Sequence, residues 1–136
     1  MQVKGIMHSV TKVLSDTTIS EAARIMDKKS IGSVLIEEDS KIIGIMTERD
    51  ILRKIVAKGR NPDETKVKDI MNQPIITIGI NEDVMEASRK MDEHKIRRLI
   101  VTENDKIVGK ITANSIARNL KYALARDTSF YTRPEY

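Results

Sequence analysis

Gly44-Ile45-Met46-Thr47-Glu48-Arg49-Asp50 returns sixty-five positions later as Gly109-Lys110-Ile111-Thr112-Ala113-Asn114-Ser115. The glycine, an apolar position and the threonine recur in register, whereas Asp50 is replaced by Ser115. A strand that ends in threonine and passes into a helix three residues before a carboxylate is a candidate phosphate-and-sugar site.

The recurrence extends outward on both sides. Val3-Lys4-Gly5-Ile6-Met7 comes back as Val67-Lys68-Asp69-Ile70-Met71, and Val34-Leu35-Ile36 as Leu99-Ile100-Val101. Ile42-Ile43-Gly44 comes back as Ile107-Val108-Gly109. Self-similarity at a fixed period marks a duplicated supersecondary unit. The chain therefore divides into repeat 1 (residues 1–60), a linker (61–65), repeat 2 (66–125) and a C-terminal tail (126–136).

Each repeat reads as strand, helix, strand, strand, helix. The first helix carries Ile19, Ala22, Ala23 and Met26, matched by Val84, Ala87, Ser88 and Met91, a stripe with the 3.6-residue period. Thr18-Ile19-Ser20-Glu21 predicts a capping box at its start. Two apolar strands follow, over 33–36 and 42–46, joined by a polar hairpin loop at 37–41. The second helix places Ile51, Leu52, Ile55 and Val56, or in the copy Ile116, Leu120 and Leu124, along one face. Gly59 predicts its C-cap and Pro62 the stop beyond. The fold class is α/β (α+β): two β-α-β-β-α units whose sheets and helices pack together, because one three-stranded sheet cannot cover both helical stripes.

Composition narrows the function classes. Among 136 residues there is no Cys or Trp and only two His, which argues against a zinc site and against Ser-His-Asp chemistry. No apolar run reaches the roughly 20 residues of a membrane span, and the start lacks a signal-peptide core, so a cytoplasmic location is expected. The net charge of +4 comes from 24 basic and 20 acidic residues mixed along the chain, the pattern of a solvated surface. The tail holds Phe130, Tyr131 and Tyr136, three of the four aromatics, and reads either as disordered or as docking on a partner subunit.

Thr47 and Asp50 admit two readings. Thr followed three residues on by an acid is a capping-box variant, and local sequence alone favours that account. In the other reading the free N–H groups at a helix start favour phosphate. A carboxylate there accepts hydrogen bonds from two ribose hydroxyls. Together these describe a nucleotide site.

The duplicated unit, with Gly-apolar-x-Thr-x-x-Asp closing its last strand, resembles the cystathionine-β-synthase (CBS) domain. The pair resembles the tandem CBS, or Bateman, module in its stand-alone prokaryotic form. The helix start from Asp16 to Ala22 and the stretch Lys95-Ile96-Arg97-Arg98-Leu99-Ile100-Val101 carry the likeness as well, although Ile100 stands where many members have proline. The resemblance implies internal pseudo-twofold symmetry and clefts between the repeats that take AMP, ADP, ATP or S-adenosylmethionine. It implies Thr47 and Asp50 in the first cleft, with Asp50 on the ribose and Ile45 and Met46 against the adenine. Arg97 or Arg98 would reach the phosphates; neighbours on a strand face opposite ways, so at most one points into a given cleft. Thr112 and Ser115 would form the second site. Loss of a charged acceptor there weakens binding by about 1.5–3 kcal/mol, roughly ten- to hundredfold.

The expected function is a non-catalytic sensor that binds an adenosine ligand and signals to a regulated protein by conformational shift, without a metal or required cofactor. The resemblance also implies a disc-like homodimer paired through the helices. Two alternatives stand beside this: a ligand-independent structural or regulatory subunit of an enzyme or transporter, and a nucleic-acid-binding protein. The interleaved acids and the absence of stacking aromatics in the repeats argue against the last.

Overall fold

The structure, a computed structural model, describes the backbone of residues 1–126 and the side chains of residues 1–121. The expectations for Phe130, Tyr131, Tyr136 and the Leu124 side chain lie outside the described residues.

Its elements follow the duplicated pattern. They are β1 (Lys12–Leu14), α1 (Ile19–Lys29), β2 (Ser33–Glu38), β3 (Lys41–Thr47) and α2 (Glu48–Asp50, continued as a π-helix over Ile51–Val56). The second set is β4 (Thr77–Gly79), α3 (Val84–His94), β5 (Arg98–Glu103), β6 (Lys106–Thr112) and α4 (Ala113–Arg126). Each set builds a mixed three-stranded sheet, ordered β1-β2-β3 and β4-β5-β6. The first pair is parallel across its helix and the second pair antiparallel.

The compact units do not coincide with the sequence repeats. One unit is Val10–Ile75; the other joins Met1–Ser9 to the chain from Ile76 onward. We call them the first and second unit. Each takes into its core the short apolar lead that opens the other repeat. Val67 and Ile70, 0% and 2% exposed, pack with Ile19, Met26, Val34, Ile36 and Met46 in the first unit. Val3 and Ile6, 0% and 6% exposed, pack with Val84, Met91, Leu99 and Ile111 in the second. Main-chain bonds fasten these leads: Val67 N–H donates to Thr17 carbonyl at 2.9 Å, and Val3 N–H to Glu82 carbonyl at 2.9 Å. The apolar character of the leads thus comes from burial against the other repeat's helix and sheet.

The same crossing explains both motif glycines. A Cβ on Gly44 would lie 2.6 Å from Met71 Sδ and 2.9 Å from Asn72 carbonyl oxygen. On Gly109 it would lie 2.7 Å from His8 carbonyl oxygen. The lead passes so close to the strand that only glycine fits.

Local chemistry sets the rest. Thr18 caps α1 by accepting from Glu21 N–H at 3.2 Å, and Asp83 caps α3 by accepting from Met85 N–H at 2.8 Å. The hairpin loops are tighter than expected. Asp39 and Ser40 adopt φ of 52° and 65°, and Asn104 and Asp105 of 50° and 64°, the twisted two-residue turn that lets the strands pair up to Glu38–Lys41 and Glu103–Lys106. Gly59 ends the second helix with φ of 65°, as expected of a glycine C-cap. The apolar face of that helix is only partly buried: Ile55 is 1% exposed, whereas Leu52 and Val56 are 58% and 67% exposed.

Candidate ligand site: two strand–helix junctions

In the first unit β3 ends at Thr47 and the chain turns directly into α2. The turn is held by a reciprocal cap. Thr47 Oγ1 accepts from Asp50 N–H at 3.3 Å, while Asp50 Oδ2 accepts from Thr47 N–H at 2.8 Å and from Thr47 Oγ1 at 3.0 Å. Two further groups converge on the same carboxylate. Asn72 Nδ2 donates to Oδ2 at 2.8 Å, and Lys54 Nζ stands 3.3 Å from Oδ1. Lys54 Nζ also donates to Ile70 carbonyl at 2.8 Å and to Asn72 Oδ1 at 3.1 Å. Asp50 is 8% exposed, and the described structure leaves no buried side-chain polar atom without a partner. A carboxylate buried this far is stable only when surrounded by donors, which Thr47, Asn72 and Lys54 supply.

Asn72 and Lys54 were not singled out from the sequence. Asn72 follows the lead at Met71, and its main chain exchanges hydrogen bonds with Ile45, at 3.0 and 2.8 Å. Its position opposite Asp50 therefore depends on the lead's packing on repeat 1. Lys54 is four residues beyond Asp50 on the helix, a spacing at which opposite charges meet. That signal was present in the sequence.

The other expected site residues fall as follows. Ile45 is half-buried and shares the face of Thr47 and Ser33 on the first sheet. Met46 is fully buried among the residues of the first core, on the opposite face of β3. Strand alternation therefore puts only Ile45 on the Thr47 side. Two concavities in this unit, of about 450 and 380 Å³, lie along α1 and the second helix, and neither is lined by Thr47 or Asp50.

The second unit repeats the junction with neutral groups. Ser115 Oγ accepts from Thr112 N–H at 3.0 Å and from Thr112 Oγ1 at 3.2 Å, and donates to Thr112 carbonyl at 2.8 Å. Asn119, at the place of Lys54, donates from Nδ2 to Ser115 carbonyl at 2.7 Å. The Asp–Lys–Asn cluster of the first unit thus becomes Ser115, Asn119 and His8. His8 pairs through its main chain with Lys110 as Asn72 does with Ile45.

The two arginines separate. Arg97 is exposed and precedes β5, where its carbonyl accepts from Ala113 N–H at 2.8 Å. Arg98 opens β5 directly opposite Thr112 and is half-buried. Lys110 is 8% exposed, and burial, followed by the charge of Arg98, holds its ammonium below the ordinary lysine value. Among the described residues no group of three or more His, Asp or Glu is placed to hold a metal ion. No helix among them is long and apolar enough to cross a membrane.

With this geometry in view, the comparison with known proteins is direct. The CBS domain model matches residues 3–57 and again residues 67–122. The chain belongs to the CBS domain family. It is 44% identical over 110 residues to a Methanopyrus kandleri protein, covering 79% of this chain and 56% of that one. The chain thus spans little more than half of that relative. It is 31% identical to the CBS domain-containing protein YhcV of Bacillus subtilis, covering 81% of this chain and 78% of the relative. Hypoxic response protein 1 of Mycobacterium tuberculosis is 32% identical, with 86% and 83% covered. Among solved structures, a conserved protein of Pyrococcus horikoshii superposes with a TM-score of 0.82 at 28% identity, over 99% of this chain and 96% of that one. The solved hypoxic response protein, whose structure contains two coordinated zinc ions, has a TM-score of 0.72 at 31% identity, with 87% and 98% covered. The two family matches start at Val3 and Val67, so each CBS repeat includes its lead, although each compact unit holds the other repeat's lead.

Proposed function

We propose that this CBS pair is a non-catalytic regulatory module of the cytoplasm. In this reading it binds an adenosine ligand (AMP, ADP, ATP or S-adenosylmethionine) at the β3–α2 junction and passes the bound state to a regulated protein. The observation that carries the proposal is the junction itself. Thr47 and Asp50 stand at a helix start with Ile45 on the same strand face, and Asp50 is kept as a carboxylate where the copy has Ser115. Oδ1 is the carboxylate oxygen for ribose, because its partner Lys54 already donates to Ile70 and Asn72 and can give way to a hydroxyl. Arg98 and Arg97 are the candidates for the phosphates. Thr112 and Ser115 form the weaker site. Met46 acts through the core behind Ile45. A ligand that prefers one arrangement of the module shifts its population toward that arrangement, and a partner reads the shift.

Self-association belongs to the same proposal. Leu52, Val56 and Leu120 leave apolar surface exposed on the helices, and a second copy of the chain would cover it. Sedimentation as a monomer at micromolar concentration would remove this part of the reading.

A specific observation favours a second reading, a ligand-independent structural subunit: Asp50 is fully engaged within the protein. A thermal-shift panel of AMP, ADP, ATP, S-adenosylmethionine and NAD separates the two. A ligand at a hundred times its dissociation constant adds about 2.7 kcal/mol, roughly 10 °C for a chain of this size. The sensor reading expects one ligand to give such a shift in the wild type and much less in Asp50→Asn. If no adenosine compound moves the wild type, the structural reading stands in its place.

A further inference from the structure

The seven methionines of this chain fall into three environments. Met26, Met46 and Met91 are 5%, 0% and 5% exposed, sealed in the two cores. Met1 and Met85, 59% and 70% exposed, lie outside both. Met7 and Met71 differ from all of these. Each closes a lead, is half-buried, and packs against the core of its unit from the rim. Each also sets its sulfur against a motif glycine: an added Cβ would lie 2.6 Å from Met71 Sδ at Gly44 and 3.2 Å from Met7 Sδ at Gly109. A thioether is apolar and polarizable, so it suits contact with a bare stretch of backbone. Met71 has the more consequential neighbours. On one side the Ile70 carbonyl accepts from Lys54 at 2.8 Å. On the other, Asn72 pairs with Ile45 through its main chain and donates to Asp50 Oδ2 at 2.8 Å. Met71 therefore sits between both attachments of the lead to the Asp50 cluster, at a place that solvent reaches.

We propose that Met71 is a site of reversible sulfoxidation by peroxides, and that its sulfoxide releases the lead from the Asp50 junction. The Sδ lone pair attacks one oxygen of hydrogen peroxide. An S–O bond forms, the O–O bond breaks and the sulfur gives up two electrons. The second oxygen departs as hydroxide and takes the proton of the transferred one to become water. A polar, chiral group then stands where an apolar one stood. Its oxygen needs a hydrogen-bond donor, and the 2.6 Å approach at Gly44 leaves no room for an added atom on the strand side of the sulfur. The sulfoxide turns out to water, and the packing of Met71 on the first core goes with it. Asn72 and the Ile70 carbonyl follow their neighbour, which loosens their ties to Asp50 and Lys54. Met7 undergoes the same chemistry in the second unit, with a wider 3.2 Å approach and the neutral Ser115 junction, and so serves as the internal control. This inference stands on packing and holds whether or not Asp50 binds a nucleotide.

The test exposes the full chain to hydrogen peroxide and follows each methionine by peptide mass spectrometry, with amide hydrogen exchange on the same samples. Met1 and Met85 should oxidise first and leave exchange unchanged. Met7 and Met71 should follow, well before Met26, Met46 and Met91. Exchange at Ile45 and Asn72 should rise roughly tenfold in step with Met71 oxidation, and methionine sulfoxide reductases should restore it. Met71→Leu keeps a side chain of like volume and should abolish the peroxide response at Ile45 and Asn72, while Met7→Leu should leave that response intact. If circular dichroism shows Met71→Leu misfolded, the wild-type time course and its reversal by reductase decide alone. The proposal is overturned if Met71 reacts no faster than the three buried methionines, or if its sulfoxide leaves exchange at Ile45 and Asn72 unchanged. A folded Met71→Leu that responds to peroxide as the wild type does would overturn it as well. None of these readouts uses a nucleotide, so failure here is distinct from failure of the ligand reading above.

Discussion

Replacing Asp50 by alanine removes the group on which the first unit's junction converges. Oδ2 accepts from Thr47 N–H, Thr47 Oγ1 and Asn72 Nδ2 at 2.8, 3.0 and 2.8 Å, and Oδ1 faces Lys54 at 3.3 Å. Loss of a cap typically costs about 1 kcal/mol, and a hydrogen bond to a charged group is worth about 1.5–3 kcal/mol. The contributions are not additive, because water reaches Asn72 and Lys54 once the carboxylate is gone. The net loss should therefore be about 2–4 kcal/mol. Ser115→Ala is the internal control. It removes the matching cap, but from neutral partners, and should cost about 1 kcal/mol. Urea unfolding of both variants measures the difference, and hydrogen exchange should place the Asp50→Ala damage at β3, α2 and residues 70–72. Equal costs for the two variants, or protection retained at Asn72, would show that the carboxylate does not tie the lead to the helix.

Three more outcomes follow from the same geometry. Deleting residues 1–9 removes the buried Val3 and Ile6 from the second unit, at about 1.5–3 kcal/mol per side chain. Hydrogen exchange should then show loss of protection in β4–β6 and α3, while β1–β3 stay protected. Gly44→Ala forces a methyl against the Asn72 carbonyl and should cost about 1–3 kcal/mol, whereas Gly5→Ala, with nothing within 4 Å of its added carbon, should be near neutral. Thermal unfolding compares the two. Lys110→Met should flatten the pH dependence of stability in the alkaline range. The folded chain gives up the Lys110 proton below the ordinary lysine value of 10.5, while the unfolded chain still holds it. Between those two points stability rises with pH in the wild type, and urea midpoints across the alkaline range measure the slope.

Much of the architecture was legible because it rests on local signals. The i, i+3, i+4 stripe through Ile19, Ala22 and Met26 identified α1, and Gly59 marked the end of the second helix. The duplication, together with the motif at Gly44, led to the CBS family. Less legible were features decided by neighbours distant in the chain. The interval at 37–41 reads as a five-residue loop, yet positive φ at Asp39 and Ser40 closes it in two residues. The stripe Ile51, Leu52, Ile55, Val56 reads as one buried face, yet the folded unit buries Ile55 and leaves Leu52 and Val56 outside. Met46 reads as a neighbour of Thr47, but pleating turns it into the core.

For the junction at Gly44–Asp50, the sequence by itself determined the strand, the cap and the helix start, because each depends on residues within three or four positions. It also determined that the two copies are chemically unequal, since Ser115 cannot carry Asp50's charge. Only the tertiary structure decided what surrounds them. Each unit completes its core with the other repeat's lead, which brings Asn72 to Asp50 and His8 to Lys110 across tens of residues. Such pairings are set by where apolar surface finds cover, and that depends on the whole folded unit rather than on any local stretch. The glycine that opens the motif records the same fact: it leaves room for a segment that the local sequence does not show.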